Sequence, residues 1–395
     1  MIYKNVKMMV SFFVNSYKKI YTLCMKCNLE EQMEKFKSLQ LEMDTDEVYE
    51  KVVQAYGYDF LPYQVPKYNT PITPKENVRR MLAGEGPLWV PNINCDFNLI
   101  QPEIMLDASA RNRGGVDWFG IDWEYEELSQ AAMVKPGTRR LSDICNWEDE
   151  LIWPDLDAID WAVDFEKNYA PFVSADKATM FVIVNGCFER LADLTSFEDT
   201  LCCLLEEPEE VSRLFDKFTD FHIRLMAIAK EYYHADMITY HDDMGTQRNS
   251  FMSEKTFREL IVPHSKKLVA ADHAMGLSVN YHSCGHVENL IDAFIDCGFD
   301  FWEGQDSANN IAVVTDNYQD KIGIVSAFDV GSDEAAMKAN VLKRITEHGR
   351  YGKYIVWPFS EDMEIEIKSN AEIYRVSREF FSRTPVGQTD SREVN

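Results

Sequence analysis

Basic residues are scarce in this chain. It has 40 Lys and Arg against 66 Asp and Glu over 395 residues, a formal net charge of -26 and a pI near 4.7. Nucleic-acid phosphates need Lys and Arg, so nucleic acid is not an expected partner. The same field repels polyanionic small molecules unless a local basic pocket overrides it. No Gly-x-Gly-x-x-Gly follows any strand-like run, which leaves a dinucleotide site without support. No stretch approaches 18 uninterrupted apolar residues, so no membrane span is expected and a cytoplasmic location is. The nine cysteines are odd in number and irregularly spaced, unlike a disulfide scaffold. They fit a reducing compartment.

What is present is a sizeable apolar fraction, 46% of residues, with 12% aromatic. That is enough to build the core of one large α/β domain. The N-terminus differs from the rest. Residues 1–28 hold Lys4, Lys7, Lys18, Lys19 and Lys26 and no acid, and Val6 to Val14 is apolar but too short to span a bilayer. Cys24-x-x-Cys27 has no second pair or nearby histidine to make it a metal or redox motif. The segment reads as a poorly ordered extension translated from upstream of the true start, with Met33 and Met43 as alternative starts. Three regions are expected: an extension over 1–74 that becomes helical across Glu30 to Tyr56, a barrel over 75–380, and a tail over 381–395.

Thr73-Pro74-Lys75-Glu76 reads as a helix start leading into Glu76 to Ala83. Asn92 to Pro171 lacks periodicity and carries Trp118, Trp123, Trp147, Trp153 and Trp161. It reads as a large loop or cap. From Ala178 the pattern turns regular. Strands are expected at Met180–Val184, Met237–Tyr240, Leu277–Tyr281, Phe299–Trp302, Ile322–Ser326 and Tyr354–Trp357, with helices between them, including one over Glu254 to Met275. Strand and helix alternating in this way signal a parallel sheet. With Leu88–Val90 and Val116–Phe119 the strands number eight, and the fold expected is α/β, a single (β/α)8 barrel.

Such barrels keep their chemistry at the C-terminal ends of the strands. Two consecutive strand ends here are rich in titratable groups. One runs His241-Asp242-Asp243-Met244-Gly245-Thr246-Gln247 and the other Asn280-Tyr281-His282-Ser283-Cys284-Gly285. Residues i and i+2 of a strand share a face, so His282 and Cys284 aim at one point. An imidazole and a thiolate together make half of a zinc site. Taken alone, His-x-Cys is as readily a packing cysteine beside a structural histidine. His241, Asp243, His282, Cys284, Glu303 and Glu361 are expected around one cavity.

In fixed order the chain carries Phe188-Glu189-Arg190, Asp242-Asp243-Met244-Gly245-Thr246-Gln247, Met252-Ser253-x-x-x-Phe257-Arg258, Pro263 and His282-Ser283-Cys284-Gly285. This order resembles the uroporphyrinogen decarboxylase superfamily over roughly residues 75 to 380. The resemblance implies a (β/α)8 barrel and admits two chemistries. The porphyrinogen decarboxylases bind substrate carboxylates through an Arg-Gln-Ala-Gly-Arg-Tyr segment. Here Pro91-Asn92-Ile93-Asn94-Cys95-Asp96 stands there, without either arginine. Their catalytic aspartate would fall near Asp122. The zinc-dependent methyltransferases that serve corrinoid proteins share the His-x-Cys-Gly. They take a further cysteine after the last strand, where this chain has Trp357-Pro358-Phe359-Ser360-Glu361-Asp362. The resemblance therefore implies zinc on His282 and Cys284, completed by carboxylates such as Glu303, Glu361, Asp242 or Asp243, by another histidine or by water. That donor set is harder than a cysteine-rich one and favours an oxygen substrate such as a methoxy group. Asp-x-His-x-x-Gly, the corrinoid-binding signature, is absent, so a corrinoid must arrive on a separate protein.

The expected function is methyl transfer between a small methylated compound and that corrinoid protein, as the demethylase component. The alternatives are a metal-free decarboxylase of a tetrapyrrole or other small carboxylate, and an inactive ligand-binding barrel. Asp242, Asp243 and Asp122 are the catalytic candidates; a helix cap or an ion pair with Arg248 or Arg258 is the plainer role for the first two. Arg190, Gln247, Arg248, Tyr240 and Trp302 are the substrate-binding candidates, with structural ion pairing and core packing as the alternatives. A small-molecule methyl donor is the other partner, and a homodimer is compatible with this reading. The tryptophan-rich segment serves as docking surface or lid, or packs inward.

Overall fold

The computed structural model describes residues 37–49, 64–127 and 131–383. The lysine-rich N-terminus, the Cys24/Cys27 pair and most of the C-terminal tail lie outside the described residues. Two compact units are distinguished, Met1–Val48 with Pro66–Pro71, and Tyr49–Val65 with Ile72–Asn395. Of the helix expected over Glu30 to Tyr56, the described part is helical only over 37–43. Beyond it the Thr45 hydroxyl accepts from Glu47 N at 3.0 Å, a local bond that competes with helix continuation.

The second unit is built on a curled, wholly parallel seven-stranded sheet. Its strands are β1 (Phe97–Ile100), β2 (Ala178–Ile183), β3 (Met237–His241), β4 (Ser278–Ser283), β5 (Phe301–Gly304), β6 (Gly323–Asp329) and β7 (Tyr354–Phe359), adjacent in chain order. Asn92 adds one parallel bridge to Val356 of β7, beyond the sheet's end. The chain is an α/β TIM barrel, as the βα rhythm implied.

Two strand expectations are corrected. Leu88–Val90 forms no strand, and Asn92 makes that segment's only bridge. From Val116–Phe119 only Val116 is in a strand. It belongs to a small antiparallel sheet of Gly115–Val116, Asp122–Glu126 and Ala131–Val134. The barrel instead takes β1 from the stretch read as irregular. All four β1 residues are buried, so no alternation marks it in sequence. Its polar Asn98 is tied down by Ser174 O at 2.9 Å and Thr179 Oγ1 at 3.2 Å.

The helices that matter below are α1 (Pro74–Leu82), α2 (Leu106–Arg113), α3 (Cys187–Leu194), α4 (Phe197–Glu206), α5 (Pro208–Tyr232), α6 (Glu254–Leu260) and α7 (Val262–Ala274). Thr73 caps α1 by accepting from Glu76 N, with Pro74 in the first turn, as the sequence indicated. The single helix expected over Glu254 to Met275 is two. Pro263 has no N–H to continue α6 and instead opens α7. The tryptophans of the expected cap pack inward. Trp147 and Trp161 are buried, and Trp118 and Trp153 meet Phe218 or Phe221 of α5 at 5.4 to 6.1 Å. Among the described residues no helix is long and apolar enough to cross a membrane.

Strand alternation sorts the barrel into two layers. Phe97, Met180, Val182, Met237, Phe301, Val325 and Ile355 pack together inside the sheet. Their neighbours, including Phe181, Ile183, Tyr240, Tyr281 and Trp302, face the helices. The inner apolar floor ends below Thr239, Asn280 and Glu303, and the polar residues begin there.

On α7, Asp272 is fully buried and neither carboxylate oxygen has a hydrogen-bond partner. Burial, reinforced by Asp300, pushes its carboxyl up to about 8. A folded value above the unfolded one makes the folded state bind more protons, so stability falls as pH rises from about 4 toward 8. Asp272→Asn is therefore expected to raise the melting temperature at pH 7 to 8 and to matter little at pH 4. Thermal melts across that range measure it, and an equal effect at both ends would contradict it.

Candidate active site

Parallel register places the key side chains in one row. His241 of β3 pairs with His282 of β4, which pairs with Glu303 of β5. All three sit at the C-terminal ends of their strands and point to the inner face. The two imidazoles stack with centroids 4.2 Å apart and planes 11° from parallel. Each ring is gripped at Nδ1 by a carboxylate. His241 Nδ1 lies 2.8 Å from Glu189 Oε2, and His282 Nδ1 lies 3.0 Å from Glu303 Oε1. Nε2 of both rings then faces one carboxylate oxygen, Asp243 Oδ1, at 3.9 Å from His241 and 3.7 Å from His282. Asp243 Oδ1 also accepts Cys284 N at 2.7 Å. The Cys284 thiol lies 3.4 Å from His282 Nε2.

One close approach makes this possible. A Cβ on Gly285 would lie 2.2 Å from the backbone of Gly245, and Gly285 has a φ of +82°. Only glycine satisfies both, so the β3 and β4 loops can touch and bring Asp243 to Cys284.

The electrostatics follow from burial. Burial alone would lower the His282 imidazole, but the Glu303 carboxylate and the hydrogen bonds to Cys284 and Glu303 reverse this and hold it well above its ordinary value. Glu303, against the burial that would raise it, is held below the usual carboxylate range by His282 and by Asn280, whose amide donates at 2.6 Å. Burial likewise opposes ionisation of Glu189, but Arg111 and His241 hold it low. Asp243, His241 and His282 form a group whose ligand atoms lie within 4.8 Å of one another, the kind of cluster that can hold a metal ion.

Residues 114–356 match the family described as uroporphyrinogen decarboxylase (URO-D), more than half of the chain. The chain belongs to the URO-D family. Among solved structures, a methyltransferase from Methanosarcina mazei superposes with a TM-score of 0.57 at 16% identity. It covers 79% of this chain and 99% of that one, and the likeness is one of fold. A sugar phosphate isomerase/epimerase from Parabacteroides distasonis and an L-ribulose 3-epimerase reach TM-scores of only 0.33 and 0.34 at 9% and 11% identity. They cover 54% and 58% of this chain and 79% and 81% of their own. No curated protein sequence matches the chain.

Of the residues singled out in this URO-D chain, the structure brings Asp243, His282 and Cys284 together with His241. It places the others elsewhere. Glu303 is beside the cluster, but its oxygens go to His282 Nδ1 and Asn280. Glu361 is exposed beyond the end of β7 and is not in the metal-capable group. Asp242 is buried and accepts Phe188 N and Glu189 N, capping the start of α3. Burial, with Glu189 nearby, pushes its carboxyl well up. Asp122 lies in the small antiparallel sheet, 3.5 Å from Lys135. Arg190 is locked between Asp107 at 2.5 Å and Asp117 at 2.6 Å, under the Phe119 ring. Tyr240 and Trp302 point away from the row, toward the helices: Tyr240 meets His222 of α5 at 3.1 Å, and Trp302 is fully buried near Phe294. Gln247 is exposed and donates to Gln305 at 2.7 Å, while Arg248 is exposed on the same loop.

Sequence reasoning missed Glu189, Arg111 and Asn185. Glu189 stood inside a recognised motif, but nothing in the sequence links it to His241. Gly285→Ala is expected to drive the two loops apart and to cost on the order of 1–3 kcal/mol from overpacking. Chemical denaturation measures that loss. An unchanged midpoint would show that the contact between the loops is not tight.

Proposed function

We propose that this URO-D family protein is a methyltransferase that moves a methyl group between a small methylated compound, such as a methoxy compound, and a separate corrinoid protein. It uses a divalent metal, zinc being the expected one. The observation that carries this reading is the convergence of His241, Asp243 and His282 within 4.8 Å, with both imidazoles backed by buried carboxylates. Carboxylate–imidazole pairs of this kind are the usual outer support of metal-ligating histidines.

The donor chemistry fits such an ion. His241, His282 and Asp243 would hold it, with Cys284 placed to add a sulfur. Glu303 would orient His282 rather than bind directly, and Glu361 would take no part. When bound, the metal would act as a redox-inert Lewis acid on the oxygen or sulfur that carries the methyl group. The protein's own contributions are geometric and electrostatic. Glu303 keeps the Nδ1 proton of His282 in place, so Nε2 faces the site. Asp243 balances charge and is itself positioned by Cys284 N. Without metal, and against burial, the Glu303 carboxylate holds the His282 imidazole above its ordinary value. The apolar floor of Phe97, Met180 and Phe301 closes the barrel beneath the site and excludes water from below.

The decarboxylase alternative is less supported. The segment that holds carboxylate-binding arginines in that branch carries Asn92, Asn94 and Asp96 here, all buried. Asp96 accepts Asn92 N at 2.7 Å, and burial pushes it up to about 6. The segment itself carries no arginine or lysine, and Arg190 is already spent on two aspartates.

Purified protein is expected to contain stoichiometric zinc by elemental mass spectrometry. Cys284→Ala and His282→Ala should each lower zinc content and methyl transfer to a reduced corrinoid protein together. Methoxylated and methylated compounds are the donors to try. Turnover of a porphyrinogen with no transfer to any corrinoid acceptor would reverse the choice between branches.

A further inference from the structure

His241 is held differently from His282. Glu189, in the first turn of α3, divides its two oxygens. Oε2 goes to His241 Nδ1 at 2.8 Å, and Oε1 accepts Arg111 Nη2 of α2 at 2.7 Å. The other amino group of Arg111 donates to Asn185 Oδ1 at 2.5 Å. Asn185 is fully buried in the turn between β2 and α3 and adopts a φ of 57°. Asparagine tolerates that left-handed conformation better than other non-glycine residues. Glu189 also receives the Asp242 cap through its own backbone N–H, at 2.9 Å. Arg111 thus holds the carboxylate directly, while Asn185 fixes the arginine and Asp242 fixes the backbone that carries Glu189.

The two histidine supports differ in charge. Glu303 is backed by the neutral amide of Asn280, which also donates to Thr239 Oγ1 at 3.1 Å. Glu189 is backed by a guanidinium. A carboxylate only accepts, so His241 Nδ1 carries a proton, and in the neutral ring Nε2 then presents its lone pair. The arginine cancels the charge that this orientation would otherwise add. One support leaves a buried negative charge beside the site, and the other leaves none.

We propose that Glu189, clamped by Arg111, is a positioning residue that fixes the tautomer and direction of His241, and that Arg111 keeps this support charge-neutral. The proposal rests on the reading that His241, Asp243 and His282 hold a divalent metal.

Cobalt(II) is the probe, because its visible absorption reports ligand identity and geometry. Metal-stripped full-length protein is titrated with cobalt(II), and zinc affinity is measured by competition with a chromophoric chelator. Glu189→Ala is expected to weaken binding 10- to 100-fold and to change the spectrum. Glu189→Gln keeps an acceptor of the same shape. It should preserve the spectrum while weakening binding by less. Arg111→Met leaves Glu189 charged but unclamped, and should alter the spectrum while the fold, followed by circular dichroism, stays intact. His241→Ala serves as the reference for loss of the ligand itself. If the unaltered protein binds no cobalt(II), the metal reading falls and takes this proposal with it. If it binds, and His241→Ala weakens binding but Glu189→Ala and Glu189→Gln match the unaltered protein in affinity and spectrum, the metal reading stands and the proposal is overturned.

Discussion

Everything at the strand ends depends on two buried carboxylate–imidazole pairs, Glu189 with His241 and Glu303 with His282. A buried carboxylate is costly unless it is paired and hydrogen-bonded. Here each pays that cost by fixing one ring nitrogen, which settles where the other nitrogen points. The stack of the two rings at 4.2 Å follows from register, because His241 and His282 are direct neighbours on adjacent parallel strands. The position of Asp243 follows from the loops, since Gly245 and Gly285 let the two turns touch.

The rest of the barrel serves that row from two sides. Below it, apolar side chains from six of the seven strands close the interior. Behind it, Tyr240 and Tyr281 stand on the alternate strand positions and anchor the sheet to the helices. The Tyr240 hydroxyl meets His222, and that of Tyr281 donates to Asp242 O at 3.1 Å. Asp242 itself is spent on the start of α3, which is the helix that delivers Glu189. Two adjacent aspartates thus serve different purposes. One caps a helix from across the sheet, and its neighbour faces the imidazoles. The pair Arg190 and Arg111 divides similarly. Arg190 binds two buried aspartates and holds the α2–α3 region together, while Arg111 clamps Glu189.

Much of this was legible in the sequence, and the misses have physical causes. Six of the strands were visible because β-branched and apolar runs recur between helical stretches. β1 was not, because a four-residue strand buried on both faces has no period to read. His282 and Cys284 were legible as an i, i+2 pair on one strand end. Tyr240 and Trp302 were misjudged by one position, since in a strand a shift of one residue moves a side chain to the opposite face. Arg190 looked like a substrate-binding cation because the sequence does not reveal that Asp107 and Asp117, more than 70 residues away, converge on it. Glu303 was rightly placed at a strand end near His282. Whether a carboxylate there would touch a metal or a ring nitrogen depends on about an ångström of side-chain reach.

The sequence by itself determined the barrel, the family resemblance and the two titratable strand ends, because these follow from local periodicity and short-range spacing. Only the tertiary structure decided that the two imidazoles stack within reach of one Asp243 oxygen, that Glu361 stays outside that group, and that Glu189 reaches across from another helix under the hold of Arg111. Those choices depend on register between strands and on contacts 39 to 78 residues apart in the chain, and a linear pattern of residue types does not encode which of several carboxylates will be near enough to bond.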